Sequence, residues 1–307
     1  MSEPISQTIQ EGYKNWRTNL ILGVPHLTSI ILSILIFIFI CIAAGVLLGL
    51  QHPQGDFGQQ LNLKILILPA MGLLVGFVLT LFITSYFCAA GIGMSMKAIE
   101  TGKTKIGDMF SYGSRNVMSI FISLFLLTLA SIIILVILFA PAGWAYSVKQ
   151  FGLGTGLAIA GGILYMLYLA VIIFFYTMAP VAMVVKNIDS VEGIREGFRF
   201  AVRNKLRLFL FWGFYFLISQ LFGFLFLIVS GPLNYVNYIS PVIYGILFLG
   251  LLLGYFIVVF LTLIPIFYVY LTRLYLESNV GIKRTVSKPY EHARNPEQSS
   301  TPRKLYI

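Results

Sequence analysis

The residues best suited to chemistry in this sequence are arginines near a short pattern that occurs three times. The copies are Glu11 to Asn19, Asp108 to Asn116 and Glu196 to Asn204. Each has an acid, an aromatic residue two places on, basic residues, and an asparagine eight places after the acid. Arginine guanidinium groups bind phosphate well, so the blocks predict contacts with lipid headgroups or with acidic partner proteins. The residues that carry this prediction are Lys14, Arg17, Arg115, Arg199, Arg203 and Arg207, and the repeated asparagines are Asn19, Asn116 and Asn204.

The alternative interpretation of the blocks is structural. An amphipathic segment at a membrane surface can simply fix the depth and angle at which the following helix enters the bilayer. In the third copy, Arg199, Arg203 and Arg207 recur at four-residue intervals on one predicted helix face. A stripe of this kind near an anionic surface contributes about 1 kcal/mol for each basic residue. Both interpretations stay open at this point.

The composition places the blocks in a membrane protein. Hydrophobic residues make up 58% of the 307 residues and charged residues only 10%, against about 25% charged in a soluble domain. The apolar residues fall in runs long enough to cross a bilayer, which takes about 20 helical residues. We therefore predict an all-α, polytopic fold with six transmembrane helices, arranged as three pseudo-repeated hairpins that each follow a cytoplasmic amphipathic interfacial helix. The predicted spans are 21–50, 63–92, 117–140, 157–184, 208–229 and 241–271, within a transmembrane domain of residues 1–276.

The lysines and arginines predict the orientation. Of the 21 in the chain, only Lys64 and Lys149 lie on one side of the predicted bundle. The positive-inside rule assigns the other, basic side to the cytoplasm, and with it both termini. The orientation in the membrane thus explains the excess positive charge, which faces anionic lipid. Nucleic-acid binding is therefore not predicted. The basic tail, residues 277–307, has too few apolar residues to pack and is predicted to be disordered.

Enzymatic groups are missing from the sequence pattern. The predicted spans contain no ionisable residue away from their ends, whereas ion-coupled transporters usually keep one at the site. The connections show no carboxylate pair, no Ser/His/Asp set and no Gly-rich phosphate loop. The chain is therefore predicted not to be an enzyme and to need no cofactor or metal. His26 is interpreted as a bystander, and Cys41 and Cys88 as small packing residues.

Small residues and prolines within the spans add two weaker hypotheses. Glycines four residues apart let helices approach closely, within the bundle or between copies in a homo-oligomer; these are Gly45, Gly49, Gly72, Gly76, Gly250 and Gly254. A channel or transporter for a neutral or amphiphilic molecule is the alternative function, and prolines that break helices mark binding sites in some transporters. The residues concerned are Pro69, Pro180 and Pro265, with a polar stripe of Thr80, Thr84, Ser85, Tyr165 and Tyr168.

Two stretches also resemble a broad group of prokaryotic six-span proteins. The first is Trp16 to Pro25, and the second is Ala179-Pro180 leading to Val191 through Phe198. The group includes the YciC-like proteins and the membrane domain found beside some glycerophosphodiester phosphodiesterases. The resemblance implies a six-span fold in a bacterial or archaeal cell membrane. It implies no phosphodiesterase activity, because no such domain is present in the sequence.

Overall fold

A computed structural model describes residues 5–51, 63–231 and 240–279, and all regular structure in these ranges is helical. Long apolar helices make up most of the described chain, and shorter helices lie at its start and within residues 178–203. A 3₁₀ turn, Leu20–Gly23, links the first two helices, and a π-helical turn, Val259–Leu263, links the last two. The helices are α1 Ile5–Thr18, α2 Val24–Gln51, α3 Leu63–Thr101, α4 Ile106–Ser147, α5 Phe151–Tyr176, α6 Met178–Lys186, α7 Ser190–Arg203, α8 Lys205–Ser230, α9 Pro241–Val258 and α10 Ile264–Asn279.

Six helical segments of the described chain are long and apolar enough to cross a membrane. They are formed by α2, α3, α4, α5 with α6, α8, and α9 with α10, and each overlaps one predicted span. The prediction of an all-α, multi-pass membrane protein is confirmed. The remaining segments, 1–4, 52–62, 232–239 and 280–307, lie outside the described residues, and with them most of the tail for which disorder was predicted.

The third span differs from its prediction at both ends. The helix α4 begins at Ile106, so the second block is its first turns and not a separate interfacial helix. No proline interrupts the stretch between Asp108 and the apolar run. The helix also continues past Pro141, where the sequence analysis ended it. A proline removes one backbone donor from a helix, and a transmembrane helix can tolerate this loss.

Prolines shape the fourth and sixth spans. Thr177 interrupts the predicted span 157–184 between α5 and α6. The break follows from Pro180, which has no N–H to donate to the carbonyl of Tyr176 four residues earlier. In the sixth span, Pro265 follows the π-helical turn. Beyond it α10 continues to Asn279, so Arg273 belongs to a membrane helix and not to the tail.

The best-packed part of the bundle lies at its basic end, defined as the end that carries Lys97, Lys186 and Arg273. There the C-terminal halves of α3 and α6 and the whole of α10 contact one another pairwise. Alanines allow this close approach, since Ala89 and Ala182 are fully buried in the shared core. Towards the other end most apolar side chains of the spans are exposed, as expected where lipid is the solvent.

The short helix α7 packs on α6 through glycine. A Cβ atom added at Gly197 would lie 2.5 Å from the backbone nitrogen of Ala179, and one at Gly193 would lie 2.2 Å from Met183 Cγ. Only glycine therefore permits the observed distance between the two helices.

The contact between α6 and α7 predicts opposite effects for two alanine substitutions. Gly197→Ala is expected to destabilise the protein by about 1–3 kcal/mol, because the backbone of α6 must move away. Gly213→Ala in α8, where nothing lies within 4 Å of the added Cβ, is the matched control and gains helix propensity of up to about 1 kcal/mol. Unfolding by sodium dodecyl sulfate in mixed micelles measures both changes. Equal effects of the two substitutions would contradict this packing.

Candidate functional site

The acid of each repeated block forms an ion pair with a basic residue at the end of an even-numbered span. Asp108 accepts from Lys97 at 2.5 Å, which joins α4 to α3. Glu196 accepts from Lys186, also at 2.5 Å, which joins α7 to α6. Glu11 pairs with Arg273, which joins α1 to α10. These three acids and three bases hold the structure together and are therefore not free to bind a ligand.

The pair between Glu11 and Arg273 connects the first block to the last span. The Arg273 side chain is only 11% exposed and lies between two carboxylates, since its Nε also donates to Glu277 at 2.6 Å. A charge that is buried to this extent destabilises the protein if its partners are removed. The N-terminal helix is thereby fixed against the C-terminal end of the bundle.

An indole hydrogen bond strengthens the same connection. Trp16 Nε1 donates to the carbonyl oxygen of Leu261 at 2.8 Å. This oxygen is available because Pro265, four residues later, has no N–H with which to complete the usual helical bond. The neighbouring Gly23 allows the close approach, since a Cβ there would lie 2.9 Å from Leu261 Cα.

The repeated asparagines have structural roles. In each block the side-chain Nδ2 donates to the carbonyl oxygen four residues earlier, at 3.1 Å for Asn19, 3.2 Å for Asn116 and 3.1 Å for Asn204. Asn19 also bridges to the turn between α3 and α4, where it donates to Gly102 O and accepts from the Thr104 backbone N–H. These amides satisfy backbone groups at the basic end.

In each block, one position is buried in the core and the next position is exposed at the surface. The residue directly after the acid is buried in all three copies, as Gly12, Met109 and Gly197. The aromatic residue that follows is about half exposed, at 50% for Tyr13, 56% for Phe110 and 50% for Phe198. Three aromatic rings therefore stand out from the basic end of the protein, a placement typical of residues at a membrane–water interface.

The helix α7 presents three distinct faces. Its small residues Gly193, Gly197 and Ala201 are buried. A second face exposes apolar side chains, with Val191 71% exposed and Phe198 beside it. The third face is cationic and follows from the helical repeat of 3.6 residues; it carries Arg195, Arg199 and Arg203, all exposed.

The predicted arginine stripe is divided by the end of this helix. Arg199 and Arg203 lie on α7 and make no hydrogen bond or ion pair with the described residues. Arg207 lies beyond Asn204 in α8, where it is half-buried near Tyr270. Arg195, which the sequence analysis did not select, completes the stripe on α7 instead. Asn204, where α7 ends, was the signal in the sequence that could have pointed to Arg195 instead of Arg207.

The other predicted contact residues lie in two further places. Lys14 and Arg17 are exposed on α1, beside the turn that Asn19 holds. Arg115 Nε donates to Asn187 Oδ1 at 2.8 Å, so it links α4 to the turn between α6 and α7. The six predicted residues therefore do not converge on one site. They are distributed along the basic end.

Three of the polar residues proposed for a pathway make contacts within their own helices. Ser85 is buried and its Oγ donates to Leu81 O at 2.7 Å in the same helix. Tyr165 stacks on Tyr168 within α5, at 6.1 Å between ring centroids. The channel hypothesis thus gains no support from these contacts and stays a prediction.

His26 and the cysteines are placed near the core of the basic end or in lipid. His26 is buried and stacks on Tyr268 at 4.8 Å, while Cys88 Sγ lies 3.5 Å from the Tyr268 hydroxyl oxygen. Cys41 is exposed on α2 and both cysteines are free. Among the described residues, no group of three or more His, Cys, Asp or Glu is placed to hold a metal ion.

The paired glycines divide between two environments. Gly76 is used within the bundle, because a Cβ there would lie 1.7 Å from Ile40 Cδ1 of the neighbouring helix. No atom lies within 4 Å of a Cβ added at Gly45, Gly72, Gly250 or Gly254. The surroundings of Gly49 lie outside the described part of the structure. A role in homo-oligomers stays a prediction for the open positions.

Removing Arg273 tests the connection between α1 and α10. Arg273→Met leaves Glu11 and Glu277 without their shared base, and the expected loss is about 3 kcal/mol because the arginine is largely buried. Lys97→Met is the control; its side chain is 37% exposed, and such a pair contributes at most about 1 kcal/mol. Detergent unfolding of both variants measures the difference, and equal losses would contradict the role assigned to Arg273.

The pair of Glu196 and Lys186 predicts a pH dependence. The hydrogen bond from Lys186 lowers the pKa of Glu196 below its ordinary value of 4.5, against the opposing effect of burial. The stabilisation is therefore complete above that ordinary pKa and is lost as the pH falls through the lowered one. Wild type should unfold at a higher temperature than Glu196→Gln at pH 7, and this advantage should shrink steadily as the pH falls below 4.5. Glu192→Gln, one turn earlier, serves as control, and an advantage that persists in acid would contradict the assignment.

Comparisons with known proteins add no identity. No protein-family model matches the chain, and neither a curated protein nor a solved structure shows significant similarity to it. The resemblance to six-span prokaryotic proteins therefore remains a hypothesis.

Proposed function

We propose that this multi-pass protein is non-enzymatic and binds anionic lipid headgroups at its cytoplasmic face. The observation that carries the proposal is the surface of α7, where an exposed apolar face lies beside exposed arginines that form no ion pair with a described acid. Glu196 also interacts with the charges of Arg199 and Arg203, but its ion pair is with Lys186. A surface that is both apolar and cationic suits the boundary between headgroups and acyl chains.

The burial pattern of α7 favours lipid over water on this surface. Val191, Phe198 and Val202 together would expose a continuous apolar face to solvent if the helix stood clear of the membrane. Burying such side chains contributes about 1.5–3 kcal/mol each. The helix is fixed to α6 by Gly193 and Gly197, so it cannot turn this face inward.

The corresponding contacts in the three blocks support a repeated hairpin architecture. Each block pairs its acid with a base of an even-numbered span, buries the next residue, exposes an aromatic ring and bonds its asparagine four residues back. We propose that the chain consists of three such hairpins, each entered through a segment at the membrane interface. The pair of Glu11 and Arg273 then closes the arrangement into a ring.

The cytoplasmic assignment rests on the distribution of basic residues. In the described chain, Lys64 and Lys149 alone are separated from the basic end. The cytoplasmic leaflet is rich in anionic lipid, and each basic residue near it contributes about 1 kcal/mol. Two exposed arginines on α7 should therefore contribute roughly 2 kcal/mol, which corresponds to an affinity change of about 30-fold.

Lipid retention tests the proposal. Native mass spectrometry of the protein released gently from membranes should show bound anionic lipid on wild type and much less on Arg199→Gln/Arg203→Gln. The control Lys103→Gln/Lys105→Gln removes the same charge from the turn between α3 and α4. It should retain lipid on α7.

Equal retention by wild type and the α7 variant would contradict the proposal. The blocks would then act only as anchors. Retention lost equally from the control would indicate diffuse attraction by net charge, which also contradicts a site on α7. A co-purifying protein lost from the α7 variant, with lipid unchanged, would assign this surface to a protein partner instead.

A further inference from the structure

The three arginines of α7 form a regular ladder. Arg195, Arg199 and Arg203 are four residues apart on one helix. With a rise of 1.5 Å per residue, successive members are separated by about 6 Å along the axis. The ladder ends at Arg203 because this is the last residue of α7. The next helix, α8, begins at Lys205.

The guanidinium groups of this ladder are available to a ligand. All three side chains are exposed and none forms a hydrogen bond or ion pair within the described residues. Two exposed acids, Asp189 and Glu192, lie at the start of α7, while Glu196 is paired with Lys186 and also interacts with the charges of Arg199 and Arg203. The three arginines outnumber the two acids that form no ion pair, so the cationic face keeps a net positive charge.

An apolar face runs parallel to the ladder. Val191, Phe198 and Val202 are exposed along the same helix, and the ring of Phe198 is held by Phe175 of α5 at 4.9 Å between centroids. Acyl chains that lie along this face would place their headgroup at the arginines. The surface thus offers several phosphate contacts beside an exposed apolar face.

We infer that α7 selects a phospholipid with two phosphodiesters joined by a short bridge. This inference rests on the proposed function and names its ligand class. In a three-carbon bridge, six single bonds of about 1.5 Å separate the two phosphorus atoms, so their distance is at most roughly 7–8 Å. That distance matches the step of the ladder. One phosphate lies between Arg195 and Arg199, and the other between Arg199 and Arg203.

Arg199 has a special position because it contacts both phosphates. Its planar guanidinium carries five N–H donors in two directions, so it can donate to both groups. Arg195 and Arg203 each serve one phosphate. A lysine at position 199 would keep the charge and lose the forked geometry.

The test compares two lipids at equal phosphate concentration. Protein in detergent micelles is titrated with bis(phosphatidyl)glycerol, which has two phosphates, and with phosphatidylglycerol, which has one. Wild type should prefer the diphosphate lipid by about five- to tenfold, the effect of one additional phosphate contact. Arg199→Gln should reduce this ratio the most, because both phosphates lose a contact, and Arg199→Lys should reduce it less. Arg195→Gln, the matched control, should keep more of the preference, because Arg199 and Arg203 remain.

The outcomes separate this inference from the proposed function. Equal binding of the two lipids to wild type, with both weakened by Arg199→Gln, would overturn the inference and leave lipid binding intact. Equal loss of preference in Arg195→Gln and Arg199→Gln would also overturn it, because the shared position would have no special role. Binding of both lipids unaffected by any α7 variant would overturn the proposed function as well. Thermal unfolding of each variant checks that the fold is retained.

Discussion

The ion pair between the acid of each block and the base of an even-numbered span is the interaction on which the basic end depends. Lys97, Lys186 and Arg273 stand where three helices leave the packed core. Each joins one block to the end of the bundle. The same helices contact one another through alanines, so their spacing is fixed from inside. These contacts fix the position and orientation of the surface at the basic end.

The close packing of α7 against α6 determines which side chains of α7 remain exposed. Gly197 brings α7 so near to α6 that no larger residue fits at that point of the helix. Phe200 is also buried, beside Tyr275, whereas most of the other large apolar side chains and the arginines lie on the exposed faces. In a soluble protein this would be an unstable arrangement, but at a membrane surface each face meets its preferred environment. The exposed aromatic rings of the other two blocks occupy the corresponding position.

The sequence predicted the fold better than the contacts at its basic end. Six spans and the amphipathic helices α1 and α7 follow from hydrophobic runs and helical spacing, which are local properties. The role of Arg273 could not be predicted, because its partner Glu11 lies at the other end of the chain. Lys97 and Lys186 were counted as charges that only set the orientation, although their partners Asp108 and Glu196 lie just 11 and 10 residues further along the chain. The continuous start of α4 was missed because an amphipathic pattern does not show whether a helix ends before the next apolar run.

Measured membrane depth at the three aromatic positions tests the central claim most directly. Nitroxide labels would be placed singly at Tyr13, Phe110 and Phe198 in a background with both cysteines replaced by alanine, and at Phe214 in α8 as a deep reference. Collision rates with oxygen and with a water-soluble nickel complex give the depth of each label. The account predicts one common depth near the headgroups for the three block positions and a deeper one for the reference. Three different depths, or three labels fully accessible from water, would contradict it.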